Sequence, residues 1–105
     1  MTPNAVAVLI SHRTRPGERD AVRAIWEERM APAVADNPGH LAYVYCLDDG
    51  DPDRITAFQV YADAEAAAGF LRTEVYLAYE RDVAPLLLGP PEVRRLTPTW
   101  SAFPG

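Results

Sequence analysis

The stretch HLAYVYCLDDGDPDRITAFQVY, residues 40–61, decides the fold. Two runs rich in β-branched and aromatic residues, 40–48 and 54–61, flank the turn-forming segment DDGDPD. A connection this short makes the two runs antiparallel neighbours in a sheet. Neither run shows the clean apolar/polar alternation of a half-solvated strand. In the first, Leu41, Tyr43, Tyr45 and Leu47 fall on one face, and Ala42, Val44 and Cys46 on the other. Both faces of the sheet therefore need cover.

Towards the N-terminus, residues 5–14 (AVAVLISHRT) read as a further strand, with Val6, Val8 and Ile10 on one side and Ala5, Ala7 and Leu9 on the other. Arg15-Pro16-Gly17 stops it. From Glu18 the period changes, and Val22, Ile25, Trp26, Met30 and Ala33 recur at helical spacing. Pro32 removes a helical donor, so the helix is expected to kink or end near Ala31, with a last turn towards Asp36. Asn37-Pro38-Gly39 terminates it. Beyond residue 61, Asp63 is placed to cap a short helix, Ala64 to Leu71, and Thr73 to cap another, Glu74 to about Leu87. Gly89-Pro90-Pro91 precedes a last strand, Val93 to Trp100.

The order is βαββαβ with the second helix split. That is a ferredoxin-like α+β fold with an antiparallel four-stranded sheet. One layer of helices covers one sheet face. In a chain of 105 residues, read as a single domain over 1–105, the expected cover for the other face is a second copy, giving a homodimer.

Composition narrows the function. The chain is 49% apolar and 24% charged, as folded proteins are, and carries a net charge of −5 with a pI near 4.8. All ten of its basic residues are arginine, and they form no basic stripe, so a nucleic-acid partner is not expected. Cys46 is the single cysteine, which excludes an internal disulfide and a multi-cysteine metal site. The apolar run Ala5–Ile10 is too short for a signal peptide or a membrane span, and a cytoplasmic protein is expected. His12, His40 and Cys46 show no paired metal-ligand spacing. Asp48, Asp49, Asp51 and Asp53 are packed too closely for a calcium loop. Neither a phosphate-binding glycine loop nor a dinucleotide fingerprint is present, and Ser11 and Ser101 lack a nucleophile-elbow context.

The segments VLISHRTRPGERDAVRAIWEERMAPAVADNPGH and FQVYADAEAAAGFLRTEVYLAYERDVAPLL resemble the antibiotic-biosynthesis monooxygenase domain family, over roughly residues 6–100. The resemblance lies in the strand–RPG–helix start, the NPGH turn and the split helix FLRTEVYLAYE. It implies a dimeric α+β barrel with a pocket between sheet and helices in each subunit. Family members oxidise phenolic or quinol-like molecules with O₂ and no cofactor, degrade haem, or serve other small-molecule roles; fold alone does not choose among these. The haem-degrading branch resembles this layout but uses an Asn late in the first strand and a Trp and a His in the split helix. Those positions here read Ile10, Phe70 and Glu80. The haem reading is rejected on these departures, and neither cofactor nor metal is expected.

His12 shares parity with Val8 and Ile10, and so faces the implied pocket if they face the helices. There it suits a general base that takes a phenol or enol proton; the competing reading is a strand-end histidine beside Arg13. Phe70, Tyr76 and Tyr79 are candidate substrate-binding walls for a planar aromatic ligand, or ordinary core. Trp26 is read as core packing, His40 as a turn residue or pocket rim, and Cys46 as a small buried hydrophobe. The two functions in view are a cofactor-independent monooxygenase acting on an aromatic or quinol-type molecule, and a non-catalytic dimeric barrel that binds a small hydrophobic ligand or acts as an accessory protein.

Overall fold

The computed structural model describes residues 3–102. Strands β1 (Val6–Arg13), β2 (His40–Leu47), β3 (Arg54–Tyr61) and β4 (Glu92–Leu96) form an antiparallel sheet in the order β2-β3-β1-β4. Helix α1 (Arg19–Ala35) connects β1 to β2, and helices α2 (Ala64–Phe70) and α3 (Glu74–Val83) connect β3 to β4. The βαββαβ order, the hairpin and the split helix agree with the sequence.

Local chemistry accounts for the breaks. Gly17 lies at φ 79°, a conformation that side chains resist, and its N–H donates to Asp53 Oδ1 at 3.0 Å. Asp63 Oδ1 accepts from Ala66 N at 2.7 Å and Thr73 Oγ1 from Tyr76 N at 3.4 Å, so both expected caps form.

Four expectations about element bounds and register need correction. Helix α1 runs through Pro32 to Ala35 with Asp36 as its C-cap, so the last turn towards Asp36 forms as expected but the end near Ala31 does not. The ring sits in the last turn and forfeits one donor, while Pro32 O still accepts from Asp36 N at 3.1 Å. Helix α3 stops at Val83, where a 3₁₀ turn over Ala84–Leu86, with Pro85 near its start, takes over. Strand β4 spans Glu92–Leu96 and stops short of Trp100; Pro98 follows it and carries no N–H for a ladder. Finally, the β2–β3 register slips between His40 and Ala42. This bulge sends Leu41 to the same side as Ala42, away from Tyr43, Tyr45 and Leu47.

The main core lies between sheet and helices. It holds Val8, Ile55 and Tyr61 from the sheet against Val22, Met30, Phe70, Tyr79 and Val83 from the helical layer. Across the sheet, Ala5, Ala7 and Val60, with Leu41 and Ala42 packed against them, form a second apolar cluster to which none of the described helices contributes a residue. The same open face carries Val44, Phe58 and Leu96, which are 54%, 37% and 39% exposed. Cys46 is there too and is exposed in the single chain, not buried as the sequence suggested. Its position on the uncovered face is the reason.

The hairpin loop is clamped by Arg19. Its Nη1 donates to the carbonyls of Asp48 and Asp51 at 2.9 Å each, with Arg54 O at 3.3 Å. A charged donor on backbone acceptors contributes about 1.5–3 kcal/mol per bond. Arg19→Ala should therefore lower stability by about 2 kcal/mol, read as a shift in the urea midpoint.

Candidate functional site

A cavity of about 350 Å³ opens between the sheet and the helices. Its floor is built from residues of one parity: Ile10 and His12 on β1, Ile55, Ala57, Gln59 and Tyr61 on β3, and Tyr43 and Tyr45 on β2. Trp26 and Met30 of α1, Phe70 of α2, and Tyr76, Tyr79 and Glu80 of α3 form the walls. Leu87, Gly89, Pro90 and Pro91 line it from the segment leading into β4. That segment is tied to the end of β1: Leu88 N donates to Arg13 O at 2.9 Å, and Arg15 N to Leu86 O at 2.8 Å.

All four predicted site residues, His12, Phe70, Tyr76 and Tyr79, line this cavity. His12 is partly buried, and its Nδ1 is buried without a hydrogen-bond partner among the described residues. Burial lowers its pKa below the ordinary histidine value, so the imidazole is neutral at pH 7. The phenols respond in the opposite sense. Burial pushes Tyr43 up to about 12, against a smaller opposing effect of the Trp26 N–H, and lifts Tyr45, Tyr61 and Tyr79 well above the usual tyrosine range. Burial first, then the adjacent Glu80 carboxylate, pushes Tyr76 to about 12. At neutral pH these hydroxyls hold their protons: Tyr61 Oη donates to Gln59 Oε1, Tyr43 Oη accepts from Trp26 Nε1, and Tyr45 Oη is buried without a partner among the described residues. Glu80 itself is exposed at the rim. The neutral His12 ring is the buried group in the cavity able to take a proton.

Several lining residues escaped the sequence reading. Trp26 is a cavity wall as well as core: its ring stacks on Tyr45 at a centroid distance of 4.2 Å, and Nε1 donates to Tyr43 Oη at 3.3 Å. Tyr43 and Tyr45 share the parity of the floor, a signal available from the alternation once the helix-facing side is known. Gln59 is 4% exposed; a lone amide inside the apolar run RITAFQVY was the signal for it. His40 takes no place in the cavity wall. The bulge turns it to the helix side, where it packs edge-on against Phe70 at 4.6 Å and bonds Asn37 and Gln59. Among the described residues, no cluster of three or more His, Cys, Asp or Glu side chains is placed to hold a metal, and no helix is long and apolar enough to cross a membrane.

The chain is thus of the ferredoxin-like α+β class, with an aromatic cavity between the sheet and the split helix. The chain is a member of the antibiotic biosynthesis monooxygenase family, whose pattern matches residues 5–82. Solved structures agree. A candidate antibiotic biosynthesis monooxygenase from Chloroflexus aurantiacus is 26% identical, covers 97% of this chain and 100% of its own, and superposes with a TM-score of 0.83. A Mycobacterium tuberculosis protein is also 26% identical, with 95% and 100% coverage and a TM-score of 0.83. A Nitrosomonas europaea protein shares the fold at TM-score 0.86 with 15% identity, covering 95% of each chain. No curated protein matches the sequence.

The two partly buried histidines predict an acid-side loss of stability. Burial depresses both pKa values in the folded chain, for His40 partly offset by the Gln59 hydrogen bond. The unfolded chain therefore takes up protons first, near pH 6.5, while the folded chain resists. Stability from this source is complete above about pH 6.5 and falls as the pH drops towards the folded values, by at most about 1.4 kcal/mol per pH unit per histidine. Melting temperatures measured from pH 7.5 to 5 should decline below pH 6.5, and His12→Asn should flatten the decline.

Proposed function

We propose that this chain is a cofactor-independent monooxygenase-like enzyme acting on an aromatic, phenolic or quinol-type small molecule. The observation that carries the reading is the neutral His12 ring, with an unpartnered buried nitrogen, on the floor of an aromatic-walled cavity. Reaction with O₂ without a cofactor requires the substrate itself to supply the electrons, and removal of a phenol or enol proton raises its electron density. His12 takes that proton, while Phe70, Tyr76 and Tyr79 hold the ring system. The balance closes within the substrate. It loses two hydrogens and gains one oxygen atom, and the second oxygen leaves with those hydrogens as water.

Oxygen uptake with a panel of reduced quinols and anthrones tests this. We expect turnover that falls about 10²-fold in His12→Ala. The acid limb of kcat/KM should lie below pH 6.5, in keeping with the lowered His12 value, and should survive in Glu80→Gln. Ligand binding without O₂ consumption overturns the enzyme reading in favour of a non-catalytic binding protein.

We further propose that the single-domain chain works as a cytosolic homodimer joined through the open sheet face. Val44, Phe58, Cys46 and Leu96, around the Ala5–Ala7–Val60 cluster, form an apolar patch on that side, and such patches mark contact surfaces. Light scattering at micromolar concentration should give twice the 11.6 kDa chain mass, and Phe58→Glu should give the monomer. A monomeric wild-type protein overturns the dimer.

A further inference from the structure

Gln59 sits on the cavity floor with both of its carbonyl lone pairs engaged. Tyr61 Oη donates to Gln59 Oε1 at 2.7 Å, and His40 Nε2 lies 3.0 Å from the same oxygen. Side-chain amides and imidazoles are ambiguous in isolation, but here a backbone group fixes the whole chain of bonds. Gly39 N–H is a donor only, and it meets Asn37 Oδ1 at 3.2 Å. Asn37 must then present Nδ2 to His40 Nδ1, 2.9 Å away, which makes Nδ1 the acceptor. The His40 proton therefore resides on Nε2 and points at Gln59, so the atom it meets is the oxygen. The amide cannot flip without opposing His40 Nε2–H with another donor. Among the described residues no acceptor takes either proton of Gln59 Nε2, and Gln59 lines the cavity.

From this we infer that Gln59 is a locked hydrogen-bond donor that selects ligands carrying a carbonyl-type acceptor oxygen, at the end of the cavity remote from His12. Register supplies the separation. His12 pairs with Ile55 and Gln59 with Val8, four residues along the strand, or roughly 13 Å. The ligand that meets both ends is a planar conjugated ring system, with an acceptor oxygen at one end and an ionisable hydroxyl or acidic C–H at the other. When a proton leaves at the His12 end, conjugation moves electron density on to that oxygen and strengthens the Gln59 bond. The inference deepens the proposed function and rests on its reading of the cavity as an aromatic site.

The test compares binding of 9-fluorenone and fluorene, which differ by one acceptor oxygen and do not alkylate the exposed Cys46. The wild type should bind fluorenone roughly tenfold more tightly than fluorene, the scale of one buried hydrogen bond. Gln59→Leu should bind fluorene at least as well as the wild type does, and lose the preference. Fluorenone should also shift the Gln59 side-chain amide resonances of the wild type in ¹⁵N–¹H spectra, whereas fluorene should not shift them. That measurement decides the matter if Gln59→Leu does not fold. Equal binding of the two probes, a preference kept in folded Gln59→Leu, or unshifted amide resonances overturns the role of Gln59 while leaving the aromatic cavity standing. Failure of both probes to bind overturns the cavity reading and this inference together. A wild-type preference for fluorenone that Gln59→Leu loses, with no O₂ uptake from the quinol and anthrone panel, removes the oxidation and leaves Gln59 in place.

Discussion

The register between β1 and β3 is the constraint on which everything else depends. Eight consecutive pairs, from Val6 with Tyr61 to Arg13 with Arg54, fix which side chains share a face. A slip by one residue would exchange the faces of one strand relative to the other. His12, Ile55, Ala57 and Gln59 would then cease to form one floor. The register is held because the helix-facing side must bury Val8, Ile55 and Tyr61, and because the loop at its open end is clamped by Arg19.

Much of this was legible in the sequence, for reasons tied to particular residues. The parity of His12 with Val8 and Ile10 is sufficient to place it, because β1 runs without irregularity along its β3 partner. Asp63 and Thr73 announce the split helix through cap chemistry that needs no tertiary information. The bulge at Leu41 was not legible. Nothing in HLAYVYCL marks the extra residue, and simple alternation puts Leu41 with the tyrosines and His40 on the opposite face. Pro32 was legible in part: the last turn towards Asp36 forms as read, while the alternative of an end near Ala31 fails because packing of Met30 and the last turn outweighs the loss of one donor. Gln59 carried a signal, an amide in an apolar strand, whose meaning depends on His40 and so on the unseen bulge.

That dependence gives the bulge a role in the site. By rotating His40 to the helix side, it brings an imidazole between Asn37 and Gln59 and orders a chain of bonds that starts at a backbone N–H. The chain has no freedom to reverse polarity. A regular β2 would leave His40 on the open face, and the buried Gln59 oxygen would keep only Tyr61 as its donor. The irregularity thus converts an ambiguous amide into one with a defined direction.

The electrostatic character of the cavity follows from the same burial. Removing water raises the phenols and lowers the histidine, so each group rests in its neutral form at pH 7. Such a cavity admits neutral aromatic molecules at little desolvation cost and resists a ligand that arrives already charged. On the proposed reaction, charge appears only after binding, when His12 takes a proton and the ligand becomes an anion. The Tyr61 hydroxyl stays protonated and keeps its proton on Gln59 Oε1, so the amide meets that anion donor-first without having to reorient. Preorganised donors aimed at developing charge in a water-poor site are the usual source of stabilisation in proton abstraction. On the proposed reaction the anion forms beside the proton that His12 has taken, a pairing that a charged ligand arriving from solvent would lack, and the amide lowers the cost of forming it where its oxygen lies within reach of Gln59.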